Sequence, residues 1–515
     1  MTTATAPVGR TTLVQVSTAA RLMLGVILAC SSAACLNLAM PPHGIWPLAI
    51  LGFLPMILAQ YRILPARFSS LGSAITIGGL VGFYIMDAFL QLPGASWYMR
   101  LLPVLFGIFV LLADSRTRAF HERTAYRWFI MHGALGWVGV EMIRGMIPVL
   151  GTWGFIGYAY YKQPWMIQPV SVFGMYGLDL LNMLLSYALG LAFLAWFDQR
   201  WRLDPAIEAV GPRRAGAWLL VMCAASAAWL VLSLLQFDSH DEDPIRVAAV
   251  QTGFKSLWSA EEAQSNWLSS ERFEEIYHQH FDLLLEQTQD SIASGVDLIV
   301  WPEGALNFDP QMEQTRLLRQ LAADSGAHFV IPYGVGFRNE VTLLNPDGEF
   351  LGVYGKNHPV LFVHEKSATH GTYPTYDTHL GSVGMIICYD LDFTDTARKV
   401  ARSGADLIAV PSGDWPGIAD VHYAHLVFRA VENRVVMIKA DRSYDSAIID
   451  PYGRILSLTS SQDPEASTLI ADVSLVHRDP WQQWLGDWIG WLSLGGMLVF
   501  AVYTPLALSS GAKRA

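Results

Sequence analysis

One cysteine ends an apolar run in the C-terminal half of the chain. Residues 381–393 read GSVGMIICYDLDF, so Cys388 closes a stretch typical of a buried strand and is followed by acidic residues. A cysteine attacks as its thiolate, and it therefore needs a base to take its proton and a cation nearby. Two other stretches offer these groups, because Glu303 closes LIVWPEG and Lys356 lies in VYGKNH.

These three residue types form a complete set for acyl transfer. Glu303 could accept the thiol proton if an apolar pocket raises the pKa of its carboxyl group. Lys356, together with the backbone N–H of Tyr389, could stabilise the oxyanion of a tetrahedral intermediate. The pattern predicts a nucleophilic site of Glu303, Lys356 and Cys388 in which no histidine takes part.

The elements that must position these residues begin near residue 245. Apolar runs without polar alternation predict strands covered on both faces, at 245–251, 297–303, 328–336, 341–346, 382–390, 406–412 and 434–440. Helical stretches lie between them, near 259–293, 311–325, 394–403 and 419–433. NPDGEF (345–350) and DPYGRI (450–455) predict hairpin turns. Residues 241–480 are therefore expected to form a layered α/β domain.

The rest of the chain has the composition of a membrane protein. The whole sequence is 52% hydrophobic and only 15% charged, whereas soluble chains average about 25% charged residues. Apolar runs that could cross a bilayer lie near 18–39, 45–60, 70–92, 100–114, 126–147, 166–197, 215–236 and 485–507. Residues 1–240 are thus expected to carry about seven transmembrane helices, and 481–515 the last helix and a tail. The net charge of −11 argues against nucleic-acid binding.

The loops between these segments predict an orientation. Loops 61–69, 114–127 and 198–214 are rich in arginine, and the tail adds Lys513 and Arg514, whereas the alternate loops carry almost no lysine or arginine. Positively charged loops stay in the cytoplasm. Both termini are therefore expected inside, and region 237–484 on the exocytoplasmic side.

Two groups of polar residues have more than one interpretation. Glu141 and Arg144 lie three apart inside an apolar segment, where they could form a structural ion pair or contact a lipid headgroup. His422 and His425 have the spacing of two metal ligands on a helix, but the sequence places no third ligand beside them. We expect no metal, and no glycine-rich loop predicts a phosphate or dinucleotide cofactor.

The motifs WPEG, YGKNH and ICYD resemble the three signatures of the carbon–nitrogen hydrolase, or nitrilase, superfamily. The resemblance covers about 245–475. It implies an α-β-β-α sandwich in which Glu303, Lys356 and Cys388 are the catalytic residues.

The whole chain, with several apolar segments before this domain and one after it, resembles the apolipoprotein N-acyltransferases of the bacterial inner membrane. This resemblance implies a membrane phospholipid as acyl donor and the N-terminal diacylglyceryl-cysteine of a lipoprotein as acceptor. It also implies that Glu365 orients the lysine, and we expect Tyr389, Asp390 and Trp415 to support the site or bind substrate.

Departures from the pattern of that family leave the acceptor open. The stretch HPVLFVHE is one residue longer than the family's usual form, CYD replaces the usual CYE, and PSGDWPG keeps only part of the usual SNDAWF. A membrane-tethered amidase that passes the acyl group to water, or to another amine, is therefore an alternative. A non-catalytic scaffold or transporter is a second one, against which the intact Glu, Lys and Cys argue.

Overall fold

Long apolar helices dominate the N-terminal half of the protein. The computed structural model describes residues 12–13, 16–91, 97–148, 150–204, 207–237, 244–265, 268–312, 315–360, 365, 370–476 and 479–509. Among these residues six helices are long and apolar enough to cross a membrane: Thr18–Ala39, Ala66–Leu90, Tyr98–Arg123, Val170–Arg200, Pro212–Gln236 and Trp488–Ser509. Shorter apolar helices, Pro47–Ile63 and Phe129–Gly145, lie at the two other predicted segments. Lys513, Arg514 and most of the 92–98 loop lie outside the described residues.

Glu141 and Arg144 each bind a different neighbour. Glu141 accepts a hydrogen bond from Trp137 Nε1 at 2.8 Å, and Arg144 donates to the backbone oxygen of Trp153. Within the described ranges the two side chains form no direct ion pair. Both line a cavity of about 290 Å³ among the helices, and most of its other lining residues are apolar. The first of the two interpretations, a direct ion pair, is therefore not how these charges are accommodated.

The C-terminal part folds into two six-stranded sheets. Its strands, numbered in chain order, are β1 Ile245–Thr252, β2 Leu298–Val300, β3 His328–Val335, β4 Arg338–Leu344, β5 Phe350–Gly355, β6 Thr375–Thr378, β7 Gly381–Met385, β8 Leu407–Ser412, β9 Val436–Asp441, β10 Asp445–Ile449, β11 Ile455–Ser460 and β12 Ala466–Val473. The sheet orders are β12-β1-β2-β3-β4-β5 and β11-β10-β9-β8-β7-β6. The central pairs β1–β2–β3 and β7–β8–β9 are parallel, and the outer pairs are antiparallel.

Residue alternation along the strands explains how the layers stack. Val247 and Ala249 of β1 join the core that the two sheets share. Ala248 and Val250 point to the other face and form a separate core that includes Leu284 of an outer helix. A strand buried on both faces needs no polar alternation, which is why the sequence shows continuous apolar runs. Outer helices complete the layers: Ala260–Ser265, Ser270–Ala293, Arg316–Ser325, Thr394–Arg402 and Tyr423–Asn433.

The helix Tyr423–Asn433 joins the two parts of the protein, and each of its residues is buried. Arg429 and Glu432 form an ion pair at 2.8 Å. Glu432 also accepts from the backbone N–H of Met175, in the helix Val170–Arg200, at 2.8 Å. That helix is kinked at Gly174, with φ +65°, where an added Cβ would lie 2.8 Å from the Gln482 side chain. The sequence of the helix Tyr423–Asn433 has an amphipathic pattern, but its charged side is buried and contacts the membrane-embedded part.

The two predicted hairpins are confirmed, whereas several element boundaries differ from the expectation. β4 pairs with β5 around residues 345–349, and β10 pairs with β11 around 450–454. The predicted 382–390 strand ends at Met385, and Cys388–Asp392 form a short 3₁₀ helix instead. The expected helix 259–293 is not continuous, because residues 268–269 are not helical and a separate helix begins at Ser270. The strands β5, β10 and β11 were indicated only by these two turns, and β6 and β12 were not predicted, because they carry more polar residues or lie next to turns.

Candidate active site

A buried lysine lies between two carboxylates at one end of the sheets. Lys356, directly after β5, places Nζ 2.9 Å from Glu303 Oε1. The same ammonium is 3.0 and 2.9 Å from Glu365 Oε1 and Oε2. Only 1% of Lys356 and 7% of Glu303 are exposed. Glu365 therefore contacts the lysine that it was expected to orient, although residues 361–364 and 366–369 around it lie outside the described part.

Asn339, which the sequence reading missed, binds both carboxylates. Its side-chain amide, at the start of β4, donates to Glu303 Oε1 at 2.8 Å and also to Glu365 Oε1. The two acidic side chains are thus fixed relative to each other even before the lysine is considered. Asn339 stands in the polar stretch FRNE, which resembles an ordinary turn, so the sequence carries no signal for this role.

Cys388 lies on a strained turn. Its backbone φ is +45°, in the left-handed region that residues other than glycine rarely adopt. The backbone N–H of Gly413 acts to lower the pKa of the Cys388 thiol. An added Cβ at Gly413 would lie 3.3 Å from Glu303 Oε2, so Gly413 adjoins both the thiol and the carboxylate. The charge of Lys356 also acts on the thiol. The three residues predicted as a catalytic set thus lie near one another, and their catalytic role stays a prediction.

The two sheets join beside these residues. The backbone N–H of Glu303, which follows β2, donates to the oxygen of Ser412 at the end of β8 at 3.2 Å. Arg442, after β9, donates from Nε to the backbone oxygen of Glu303 at 3.0 Å. Because Glu303, Cys388 and Gly413 all follow the carboxyl ends of parallel strands, the fold brings them to the same end of the sandwich.

Asp390 connects the lysine strand to the cysteine turn. It is completely buried. Its carboxylate accepts hydrogen bonds from the backbone N–H groups of Asn357, His358 and Ile387 at 3.1, 2.7 and 3.0 Å, and from the Tyr354 hydroxyl at 2.7 Å. Two of these groups directly follow Lys356 and one precedes Cys388. Asp390 therefore binds the backbone next to both Lys356 and Cys388, and its supporting role in the site stays a prediction.

Tyr389 and Trp415 lie at the edges of this site. The Tyr389 ring packs edge-to-face against Phe393, with ring centres 5.4 Å apart, and the role of its backbone N–H stays a prediction. Trp415 Nε1 donates to the backbone oxygen of Ala88 at 2.7 Å, and its ring lies beside Phe89. Its indole N–H thus contacts the membrane-embedded part, and a direct contact with substrate also stays a prediction.

Burial and charge set the protonation states of the three central groups. Burial raises the pKa of the Cys388 thiol well above its usual value, Glu303 adds to this effect, and Lys356 opposes it. Burial also acts to raise the pKa of Glu303, but Lys356 and Asn339 outweigh it, and that pKa lies below its usual value. The expectation that an apolar pocket raises the pKa of Glu303 is therefore wrong. Burial lowers the pKa of Lys356, but Glu303 and Glu365 raise it well above normal.

A second group of buried polar residues was only partly anticipated. Asp414 Oδ1 lies 3.9 Å from Cys388 Sγ and 2.9 Å from His422 Nδ1. One potential ligand atom each from Asp392, His422 and His425 lies within 4.8 Å of the others. The sequence spacing indicated His422 and His425. The third member, Asp392, lies in the turn Cys388–Asp392, and only the tertiary fold brings it close to the two histidines.

Comparison with known proteins agrees with both parts of this architecture. Residues 246–483 match the family model "Carbon-nitrogen hydrolase", and residues 32–188 match "Apolipoprotein N-acyltransferase N-terminal domain". Apolipoprotein N-acyltransferase of Geobacter metallireducens is 26% identical, over 92% of this chain and 94% of its own length. That of Rickettsia bellii is 26% identical over 74% and 76%. A crystal structure of an amidase from Nesterenkonia sp. aligns at 20% identity and a TM-score of 0.35, covering 46% of this chain and 92% of the amidase.

The chain is an acyl-transfer enzyme of the carbon–nitrogen hydrolase superfamily, with its catalytic domain attached to a membrane-embedded part. The two family models fall on the two structural parts, and the curated relatives cover both of them in one chain. The chain belongs to the apolipoprotein N-acyltransferase family.

Proposed function

We propose that this chain moves a fatty acyl group from a membrane phospholipid, through a thioester on Cys388, to the α-amine of an N-terminal diacylglyceryl-cysteine of apolipoproteins. The observation that best supports this reaction is a buried thiol on a strained turn, next to a carboxylate and an ammonium that hydrogen-bond each other at 2.9 Å. The family to which the chain belongs supports the choice of substrates.

The first half-reaction forms the thioester. Cys388 Sγ attacks the ester carbonyl carbon while Glu303 takes the thiol proton, and Lys356 stabilises the charge on the carbonyl oxygen. The carbon–oxygen bond then breaks, and the leaving lysophospholipid oxygen receives the proton held by Glu303. Because the site disfavours a free thiolate and keeps Glu303 ionised, loss of the proton accompanies formation of the carbon–sulfur bond.

The second half-reaction consumes the thioester. The lipoprotein α-amine attacks the same carbonyl carbon, and Lys356 again stabilises the oxyanion. Glu303 moves a proton from the amine to the departing sulfur, so that an amide forms and the Cys388 thiol is restored. Each substrate leaves a product before the next one reacts, which predicts ping-pong kinetics.

The membrane arrangement is part of the proposal. We divide the chain into 1–240, 241–480 and 481–515, with eight spans, both termini in the cytoplasm and the catalytic domain outside the inner membrane. Both substrates are then anchored in the leaflet next to the site, so that they find it by lateral diffusion. A single cysteine introduced at exposed Glu275 should react with an impermeant maleimide in intact cells, whereas one at exposed Ser115 should react only after permeabilisation.

A reconstituted assay tests the chemistry. The purified protein is incubated with phospholipid and a synthetic diacylated lipopeptide, and mass spectrometry follows the peptide and Cys388. We expect an N-acylated peptide, and without peptide an acyl group on Cys388. Cys388→Ser should abolish both products, whereas Cys223→Ser, the same change in an apolar helix, should retain them. Release of free fatty acid without any acylated peptide would support the amidase alternative and refute the proposal.

A further inference from the structure

A line of buried polar side chains runs from the nucleophile to the membrane-embedded part. Cys388 Sγ is 3.9 Å from Asp414 Oδ1, and His422 Nδ1 is 2.9 Å from the same oxygen. The other ring nitrogen of His422, Nε2, is 3.3 Å from Asp392 Oδ1. Asp392 Oδ2 accepts from Trp153 Nε1 at 2.8 Å, and Trp153 lies between the helices Phe129–Gly145 and Val170–Arg200. None of these five side chains is more than 7% exposed.

The charges along this line are fixed by their surroundings. His422 faces Asp414 and Asp392 on its two sides, and His425, in the helix Tyr423–Asn433 that begins directly after His422, lies next to it. Burial acts to lower the pKa of His422, but the two carboxylates raise it to about 10, so the ring is a cation at neutral pH. On the far side of Asp414, Lys439 Nζ lies 2.8 Å away.

Asp414 acts on the reactive sulfur directly. Its negative charge adds to burial and to Glu303 in raising the pKa of the Cys388 thiol. Lys439, which also faces Asp445 and Asp441, partly neutralises that charge. The field that the thiol experiences therefore depends on how fully the partners of Asp414 balance it.

We propose that Asp414 and His422 are positioning residues for Cys388, with Asp414 orienting the thiol proton and His422 setting the net charge that Asp414 presents to the sulfur. This role rests on the proposed function of Cys388 as the nucleophile. It gives a role to Asp414, in the stretch PSGDWPG, and to His422, in the stretch HYAH. Asp392 and Trp153 then hold His422 in place from the side of the membrane-embedded part.

Asp392, His422 and His425 carry the residue types of a metal site, but one of their distances is too short for two ligands of the same ion. His425 Nδ1 is only 2.6 Å from Asp392 Oδ1. Two atoms that each lie about 2.0–2.1 Å from one tetrahedral Zn²⁺ would be separated by roughly 3.3 Å. The observed separation of 2.6 Å is shorter than this, so the two atoms do not have the spacing of ligands to one ion.

Two substitutions should change the reactivity of the thiol in opposite directions. Asp414→Asn removes a negative charge beside the sulfur, and His422→Gln removes the positive charge that balances Asp414. At pH 7, alkylation of Cys388 by iodoacetamide should become about tenfold faster in Asp414→Asn, as expected for a thiol pKa lower by about one unit. It should become severalfold slower in His422→Gln. Peptide-resolved mass spectrometry separates Cys388 from the other three cysteines.

Opposite changes in the alkylation rate of Cys388 distinguish a positioning role from a structural one. Damage to the fold would move both variants in the same direction, and such a result, or no change in either, would overturn the inference. His422→Asn and Asp414→Ala repeat each charge change if the first variant does not fold. His278→Gln, on an exposed position of the helix Ser270–Ala293, is the matched control and should react like the unmodified protein.

Two further readouts complete the test. About one tightly bound metal per chain, lost in His425→Ala, would also overturn the inference in favour of a metal centre. Alkylation needs neither phospholipid nor lipopeptide. Opposite shifts in a protein without acyl transfer would therefore refute the proposed function and leave this inference standing.

Discussion

Replacing Asp390 by asparagine should disconnect the two halves of the active site. One carboxylate oxygen of Asp390 accepts backbone N–H groups that directly follow Lys356. The other oxygen accepts from the backbone of Ile387 and from the Tyr354 hydroxyl. An asparagine can keep one oxygen as an acceptor but presents an NH₂ group in place of the other. The hydroxyl of Tyr354 can rotate to accept from this group, whereas the N–H of Ile387 cannot.

The size of the effect follows from these contacts. A hydrogen bond to a charged group contributes about 1.5–3 kcal/mol and a neutral one about 0.5–1.5 kcal/mol. The bonds from the backbone N–H groups of Asn357 and His358 are retained but become neutral, so together they lose roughly 2 kcal/mol. The N–H of Ile387, left buried without an acceptor, costs about 1–3 kcal/mol more. The expected loss of folding free energy is therefore about 3–5 kcal/mol, or on the order of 10 °C in the unfolding midpoint. A misplacement of about 1 Å between Lys356 and Cys388 should lower kcat about 100-fold.

The assay pairs thermal unfolding with acyl transfer to a diacylated lipopeptide. Asp472→Asn is the matched control, because Asp472 makes an ion pair with Arg246 at a position that is 51% exposed. Such a surface pair contributes at most about 1 kcal/mol, and the control should keep its kcat. If Asp390→Asn keeps kcat within about threefold, the carboxylate does not align the catalytic groups in the way that we describe.

Three further outcomes are expected from the same geometry. The rate of thioester formation should be independent of pH between about 6 and 9, because Glu303 stays ionised below that window and Lys356 stays protonated above it; a bell-shaped curve inside the window would contradict this. Asn339→Ala removes a hydrogen bond that stabilises ionised Glu303, so activity at pH 5 relative to pH 7 should fall; an unchanged ratio would refute that role. Trp415→Phe loses the bond to Ala88 and should lower stability by about 1 kcal/mol while kcat changes less than about twofold; a large loss of kcat would favour substrate contact.

The sequence was most informative where a polar residue ends an apolar run. Glu303 and Cys388 each follow a buried strand, and Lys356 lies in the motif VYGKNH, so residue type and position together predicted that they would meet. Carboxyl ends of parallel strands share one edge of a sheet whatever the details of packing. Local pattern alone could therefore predict the main groups of the candidate site and the layered fold.

The remaining parts depend on contacts between segments that are distant in sequence. Asn339 is a polar residue in a polar stretch, and only the pairing of β4 with β5 brings it to the carboxylates. Arg429 and Glu432 have the spacing typical of a solvent-facing helix side, yet they are buried because the membrane-embedded part covers that face. The sign of the pKa shift at Glu303 was predicted wrongly for the same reason. An apolar run indicates burial but does not reveal that a lysine lies 2.9 Å away.

The acidic surroundings of Cys388 help to keep its thiol protonated. In the proposed orientation the thiol faces an oxidising compartment, where an exposed thiolate is readily converted to sulfenic acid or a disulfide. Burial to 5% exposure, together with Glu303 and Asp414, keeps the sulfur protonated and protects it in the resting enzyme. The same charges oppose formation of a free thiolate, so the proton must leave as the acyl carbon approaches. An ionised base held beside a permanently charged lysine is suited to that concerted step, and the acyl donor itself thereby triggers the reactive form.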